Sequence, residues 1–98
     1  MSNVPAFVEK FRNSDPKLVD MVAQLRDHAM APGVLDAKTK LLIAMALDAI
    51  VGADRGVASL ADAARANGAS EEEIGETLRI VYYIAGMGSL SSGCNGLK

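Results

Sequence analysis

This chain of 98 residues predicts an all-α fold, an antiparallel bundle of helices. Apolar residues recur at helical spacing, and no stretch shows a convincing period-two strand pattern. Asp15-Pro16, Asp36 and Ser70-Glu71-Glu72-Glu73 read as helix starts, because each offers a capping side chain ahead of an apolar run. Pro32-Gly33, Gly52 and Asn67-Gly68 read as stops, since proline and glycine discourage helix continuation.

Each element follows in order. Pro5 to Phe11 forms a short helix that pins Phe7 and Phe11 onto the body. From Ser14-Asp15-Pro16 a second helix runs to Ala29, with Leu18, Val22 and Leu25 as its apolar stripe and Met21 and Ala29 beside them. Asp36 caps a third helix reaching Val51, apolar on every side between Leu41 and Leu47 and so expected to be buried all round. After the Gly52 break, Asp54 caps a fourth helix to Asn67. Its face of Val57, Leu60, Ala61 and Ala64 is narrow and mostly small, which lets helix backbones approach closely. Ser70 and Glu73 form a capping box for a fifth helix, whose inner face is Ile74, Leu78, Val81 and Ala85. Beyond Ala85 the chain is rich in glycine and serine, and propensity alone predicts disorder.

Composition narrows the function classes. The chain is long enough for one domain, residues 1–98, but alanine-rich and with only two Phe and two Tyr. Its apolar core is therefore modest, and burial against further copies is a natural supplement. A formal charge of -2 with no basic stripe argues against nucleic-acid binding. No apolar run is long enough for a membrane span. Met1-Ser2-Asn3-Val4-Pro5 lacks a basic region followed by an apolar core, and the single Cys94 has no internal partner. A cytoplasmic location is expected.

The stretch Pro32-Gly33-Val34-Leu35-Asp36-Ala37-Lys38-Thr39-Lys40-Leu41-Leu42-Ile43 enters an apolar helix. The Gly52 break, the alanine-rich helix and Asn67-Gly68-Ala69-Ser70-Glu71-Glu72-Glu73-Ile74 follow it. That order resembles the carboxymuconolactone decarboxylase-like family, which includes the alkylhydroperoxidase D proteins. The resemblance implies a helical bundle of the alkylhydroperoxidase D-like type, assembled as dimers, trimers or hexamers. It also implies that the segment after Ala85 is a last helix packed on a partner subunit. Redox members carry Cys-x-x-Cys-x-x-x-His at the start of the alanine-rich helix, where this chain has Ala53, Gly56 and Leu60. The family glutamate falls on Leu41. A thiol pair at a helix start suits peroxide reduction, because the helix end stabilises thiolate and the spacing permits a disulfide. Alanine, glycine and two leucines supply none of that chemistry, so thiol peroxidase activity by the family route is not expected.

The same substitutions make a polar cleft apolar, which either packs shut or accepts an apolar molecule. Leu41, Met45, Val57 and Leu60, with Tyr82, are the candidate ligand pocket. The remaining polar candidates are few. Asp48 interrupts an apolar helix and needs a partner, for which Arg55 is placed across the Gly52 turn, either as a structural pair or as a substrate site. His28 lies near a helix end, where a cation is favourable; acid–base work is its other reading. Cys94 is an inert buried thiol, a redox-active one or a bridge between two subunits. No cofactor is implied, and no histidine or cysteine lies at metal-ligand spacing from another. Two functions stand: a non-redox homo-oligomer binding a small apolar ligand or a protein partner, or an enzyme with relocated chemistry. The second is either decarboxylase- or isomerase-like, or peroxidase-like through Cys94.

Overall fold

A computed structural model describes residues 4–98; Met1, Ser2 and Asn3, part of the N-terminal stretch read above, lie outside it. The described residues are helical throughout, with turns between helices and no strand. They fall into two compact units, one ending at Gly33 and the other Val34–Lys98.

The first unit holds α1 (Ala6–Glu9) and α2 (Pro16–Met30). Asp15 caps α2 as the sequence predicts, its Oδ1 accepting from the Leu18 N–H at 3.0 Å with Pro16 opening the helix. The apolar details differ from expectation. Val8 is the buried residue of α1, while Phe7 and Phe11 stay exposed; a single helical turn can turn only one position fully inward. On α2, Val19 is buried, with Val22, Ala23 and Met30 half-buried, and Leu18, Met21 and Leu25 are exposed. The inward stripe is thus displaced from the one expected. Arg12 links this unit's polar side, its Nε 2.7 Å from Glu9 Oε1 and its Nη1 3.3 Å from Asp20 Oδ1.

The second unit holds α3 (Ala37–Ile50), α4 (Asp54–Ala66) and α5 (Glu71–Gly93), closed by a 3-10 turn, Cys94–Gly96. Asp36 caps α3 by accepting from the Thr39 N–H at 2.8 Å. The three-residue link to α4 needs Gly52 at φ +74, a left-handed conformation that glycine adopts without steric penalty. Asp54 is not the cap of α4: Ala53 holds that position and offers no side-chain bond, while Asp54 lies in the first turn. There its charge still faces the positive end of the helix dipole. Gly68, at φ +96, ends α4. The capping box of α5 is complete, with the Glu73 N–H donating to Ser70 Oγ at 3.0 Å and the Ser70 N–H donating to Glu73 Oε1 at 2.9 Å.

α3 packs on both α4 and α5. Met45, Ala61, Ala64, Ala69 and Ile74 form the buried core, with Leu41, Leu42, Val57 and Leu60 packed against it. The small residues of α4 thus do what their spacing predicts. The expectation that α3 is buried all round is corrected: Ile43, Leu47 and Ile50 remain exposed. Within this unit only α4 and α5 cover the helix, and one side of it is left over. The glycine-rich segment is also not disordered, nor a separate helix. α5 continues through it to Gly93, because it contains no proline and its glycines keep negative φ.

Candidate functional site

Two stretches of the second unit bear on function, and α3 contributes to both. The first is the seam between α3 and α4. Leu41, Met45 and Asp48 recur at i, i+4 and i+7 on α3, while Ala53, Gly56 and Leu60 recur at i, i+3 and i+7 at the start of α4. Met45 is fully buried there, and Leu41, Val57 and Leu60 pack around the same core. Four of the five residues read as a ligand pocket are therefore brought together, as packed core. Tyr82 is apart from them, on α5 and 83% exposed.

Asp48 has an unusual neighbour. A Cβ built on Gly56 would fall on Asp48 Oδ2, 3.0 Å from its Cγ and 3.7 Å from the Ala53 Cβ. The carboxylate thus occupies the space any side chain at position 56 needs. Asp48 and Arg55 do not form the expected ion pair among the described residues: Arg55 is exposed, and the half-buried Asp48 lies over Gly56 instead. The backbone explains the arrangement, since the Ala53 N–H donates to the Asp48 carbonyl at 2.9 Å and draws the start of α4 over the end of α3. His28 is exposed in the last turn of α2. Cys94 is a free, exposed thiol at the end of α5. Among the described residues, no three His, Cys, Asp or Glu gather where they could hold a metal ion. No described helix is long and apolar enough to cross a membrane.

The second stretch is a groove of about 460 Å³ between α3 and α5. Its walls are Leu42, Ile43, Ala46, Leu47 and Ile50 of α3 and Ile80, Val81 and Ile84 of α5. Its polar residues, Lys38, Thr39, Glu73 and Thr77, all come from the first half of each helix. Lys38 Nζ donates to Glu73 Oε2 at 2.9 Å. The Glu73 carboxylate, bonded by Lys38 and then by the Ser70 N–H, is held below the usual glutamate range. Its partner Lys38 is raised by the same bond. Thr77 Oγ1 donates to the Glu73 carbonyl at 2.8 Å, and Thr39, through its side chain and then its N–H, holds the Asp36 carboxyl below its ordinary range. The sequence reading missed this groove. Its signal was present as two rows, Thr39-Ile43-Ala46-Ile50 and Glu73-Thr77-Ile80-Ile84, each polar first and aliphatic after at helical spacing.

Comparison with known protein families gives one match. The model of the carboxymuconolactone decarboxylase family matches residues 16–97. No curated protein and no solved structure matches the chain.

Proposed function

The chain belongs to the carboxymuconolactone decarboxylase family, and from that premise we propose that it is a non-redox member whose α3–α5 groove binds a small apolar ligand. The groove itself carries this reading. Its size lies within the range of small-molecule sites, and its lining is mostly aliphatic with a few convergent polar groups, the usual make-up of such sites. The seam supports the non-redox half. Leu41, Ala53, Gly56 and Leu60 cannot relay protons or attack peroxide, and the Asp48 carboxylate excludes a side chain at position 56.

The same reading makes the protein a cytoplasmic homo-oligomer built as an antiparallel bundle of the alkylhydroperoxidase D-like type, with residues 1–98 acting as one domain. Tyr83, Met87 and Leu90 recur at i, i+4 and i+7 along α5, and all are exposed. A stripe of large apolar side chains in water is favourable to cover. The unpaired Cys94 suits a reducing compartment.

Native mass spectrometry of the purified protein, repeated after denaturation, tests the reading. The expected result is an oligomer that releases a discrete small apolar compound. Ala46→Trp, which fills the groove floor, should lose that compound and keep the oligomer. A bare monomer that takes up no apolar compound would overturn the proposal. So would hydroperoxide turnover that disappears in Cys94→Ser.

A further inference from the structure

We infer that Asn95-Gly96 is a self-modification site, at which the folded chain converts an amide into a carboxylate with water as the only co-reactant. The sequence holds two Asn-Gly pairs, Asn67-Gly68 and Asn95-Gly96. In such a pair the glycine nitrogen, having lost its proton to solvent base, attacks the asparagine Cγ. A C–N bond forms, ammonia leaves and a cyclic imide remains. Water then opens the imide at either carbonyl, giving aspartate or its isomer with the backbone routed through the side chain. In sum, asparagine and water give an acid and ammonia. Glycine favours the attack because no Cβ shields its nitrogen. The attack also requires the turn to leave its hydrogen bonds, so the fold decides which pair reacts.

The two pairs are held differently. The Asn67 N–H donates to the Ala63 and Ala64 carbonyls at 3.1 and 3.0 Å, and its Nδ2 donates to the Ala63 carbonyl at 2.9 Å. The Gly68 N–H donates to the Arg65 carbonyl at 3.0 Å, and the Ala69 N–H to the Ala64 carbonyl at 2.9 Å. Ala64 and Ala69 both belong to the buried core, so freeing this turn disturbs the core as well. Asn95 lies in the 3-10 turn that follows α5, with its Nδ2 bonded to the Ser92 carbonyl at 3.0 Å. Residues 87–98 are all exposed, so no core contact has to break there. Gly88, Gly93 and Gly96 weaken the helical state of the same segment further. Exposed helical turns without buried contacts open at low local cost. The pair also lies beyond the stripe of Tyr83, Met87 and Leu90 that the proposed oligomer covers. The reactive pair is therefore the second one.

Conversion changes its surroundings. Residues 80–97 carry no charged side chain, so the product places the first negative charge there. It falls at the C-terminal end of α5, where the helix dipole disfavours an anion. It also adjoins the free, exposed Cys94 thiol, whose thiolate a neighbouring carboxylate opposes.

Peptide mapping by mass spectrometry of the full-length protein, aged folded and in urea at mildly alkaline pH, tests the site. In the folded protein Asn95 is expected to convert at least about tenfold faster than Asn67, as the additional hydrogen bonds to be opened at Asn67 imply. In urea the two rates should approach each other. Gly96→Ala should slow Asn95 and leave Asn67 unchanged. Asn95→Asp, which carries one of the products, should alkylate at Cys94 with iodoacetamide about two- to threefold more slowly than the parent, as a unit charge on the adjacent residue in water implies. Folded-state conversion of Asn67 as fast as that of Asn95, or conversion of both in urea and of neither when folded, overturns the site. Equal alkylation of parent and Asn95→Asp overturns its effect on Cys94.

Discussion

The two sides of α3 are built from similar aliphatic residues and end in opposite states. Toward α4, Met45 packs with Ala61 and Ala64 in the buried core. Toward α5, Ile43, Leu47 and Ile50 face Ile80 and Ile84 across an open groove. The partner decides the difference. Small residues on α4 let the backbones close, as ridge-and-groove packing allows, whereas branched side chains on both α3 and α5 hold those surfaces apart. The α4 side of α3 is therefore the filled one, and the open volume lies on its α5 side.

The largest contrast should appear on truncation. Met45→Ala removes a fully buried side chain and is expected to cost about 2–5 kcal/mol of stability, read from the urea midpoint. Ile80→Ala, on the groove wall and 60% exposed, is expected to cost less than about 1 kcal/mol. Equal losses, measured after any retained compound has been removed, would mean that another copy covers the groove.

A subtler contrast concerns Gly56. Alanine is ordinarily the better helix former by about 1 kcal/mol. In this chain Gly56→Ala places a methyl on the Asp48 carboxylate, so it should destabilise, and in an Asp48→Ala background it should stabilise. The four proteins of that double-mutant cycle are expected to show a coupling of about 1–2 kcal/mol, measured by denaturant unfolding. Additive effects would show that Asp48 rotates away at no cost. Position 56 would then be open to a larger side chain, and the proposed non-redox reading would lose its steric support.

The start signals were the most legible part of the chain. Asp15, Asp36 and the Ser70–Glu73 box each cap the helix that the sequence assigns to them, because a cap is decided within four residues. Asp54 shows the limit of that locality: one residue's shift along the Gly52 turn made it a first-turn acid rather than a cap. Which apolar face turns inward was less legible. Leu41 to Leu47 is apolar all round, and periodicity cannot tell a helix buried on every side from one with a neighbour missing. The groove was hidden for the same reason, since it depends on two helices separated in sequence by α4. The Gly56–Asp48 contact has no local signature at all. A glycine in a helix start reads as a simple substitution until the carboxylate above it is seen.

The smallest effect tests the polar end of the groove through pH. Glu73 is held below the ordinary 4.5 of a glutamate, first by Lys38 and then by the Ser70 N–H. A carboxyl whose folded value is depressed contributes stability that is fully present above 4.5 and is lost as pH falls through the lower folded value. Lys38 shifts the opposite way, so its share is present below 10.5 and is lost only as pH rises through its raised value. Near neutrality both contributions stand. Glu73→Gln keeps a group that can reach back to the Ser70 N–H, as capping boxes accept Glu or Gln at this place, but it removes the titration. Asp36 and Glu71 are depressed as well and titrate in the same acid window, so the parent profile alone cannot single out Glu73. The difference between parent and Glu73→Gln can. Urea midpoints measured from pH 7 down to pH 3 should converge as the pH drops below 4.5, because only the parent has a Glu73 contribution to lose.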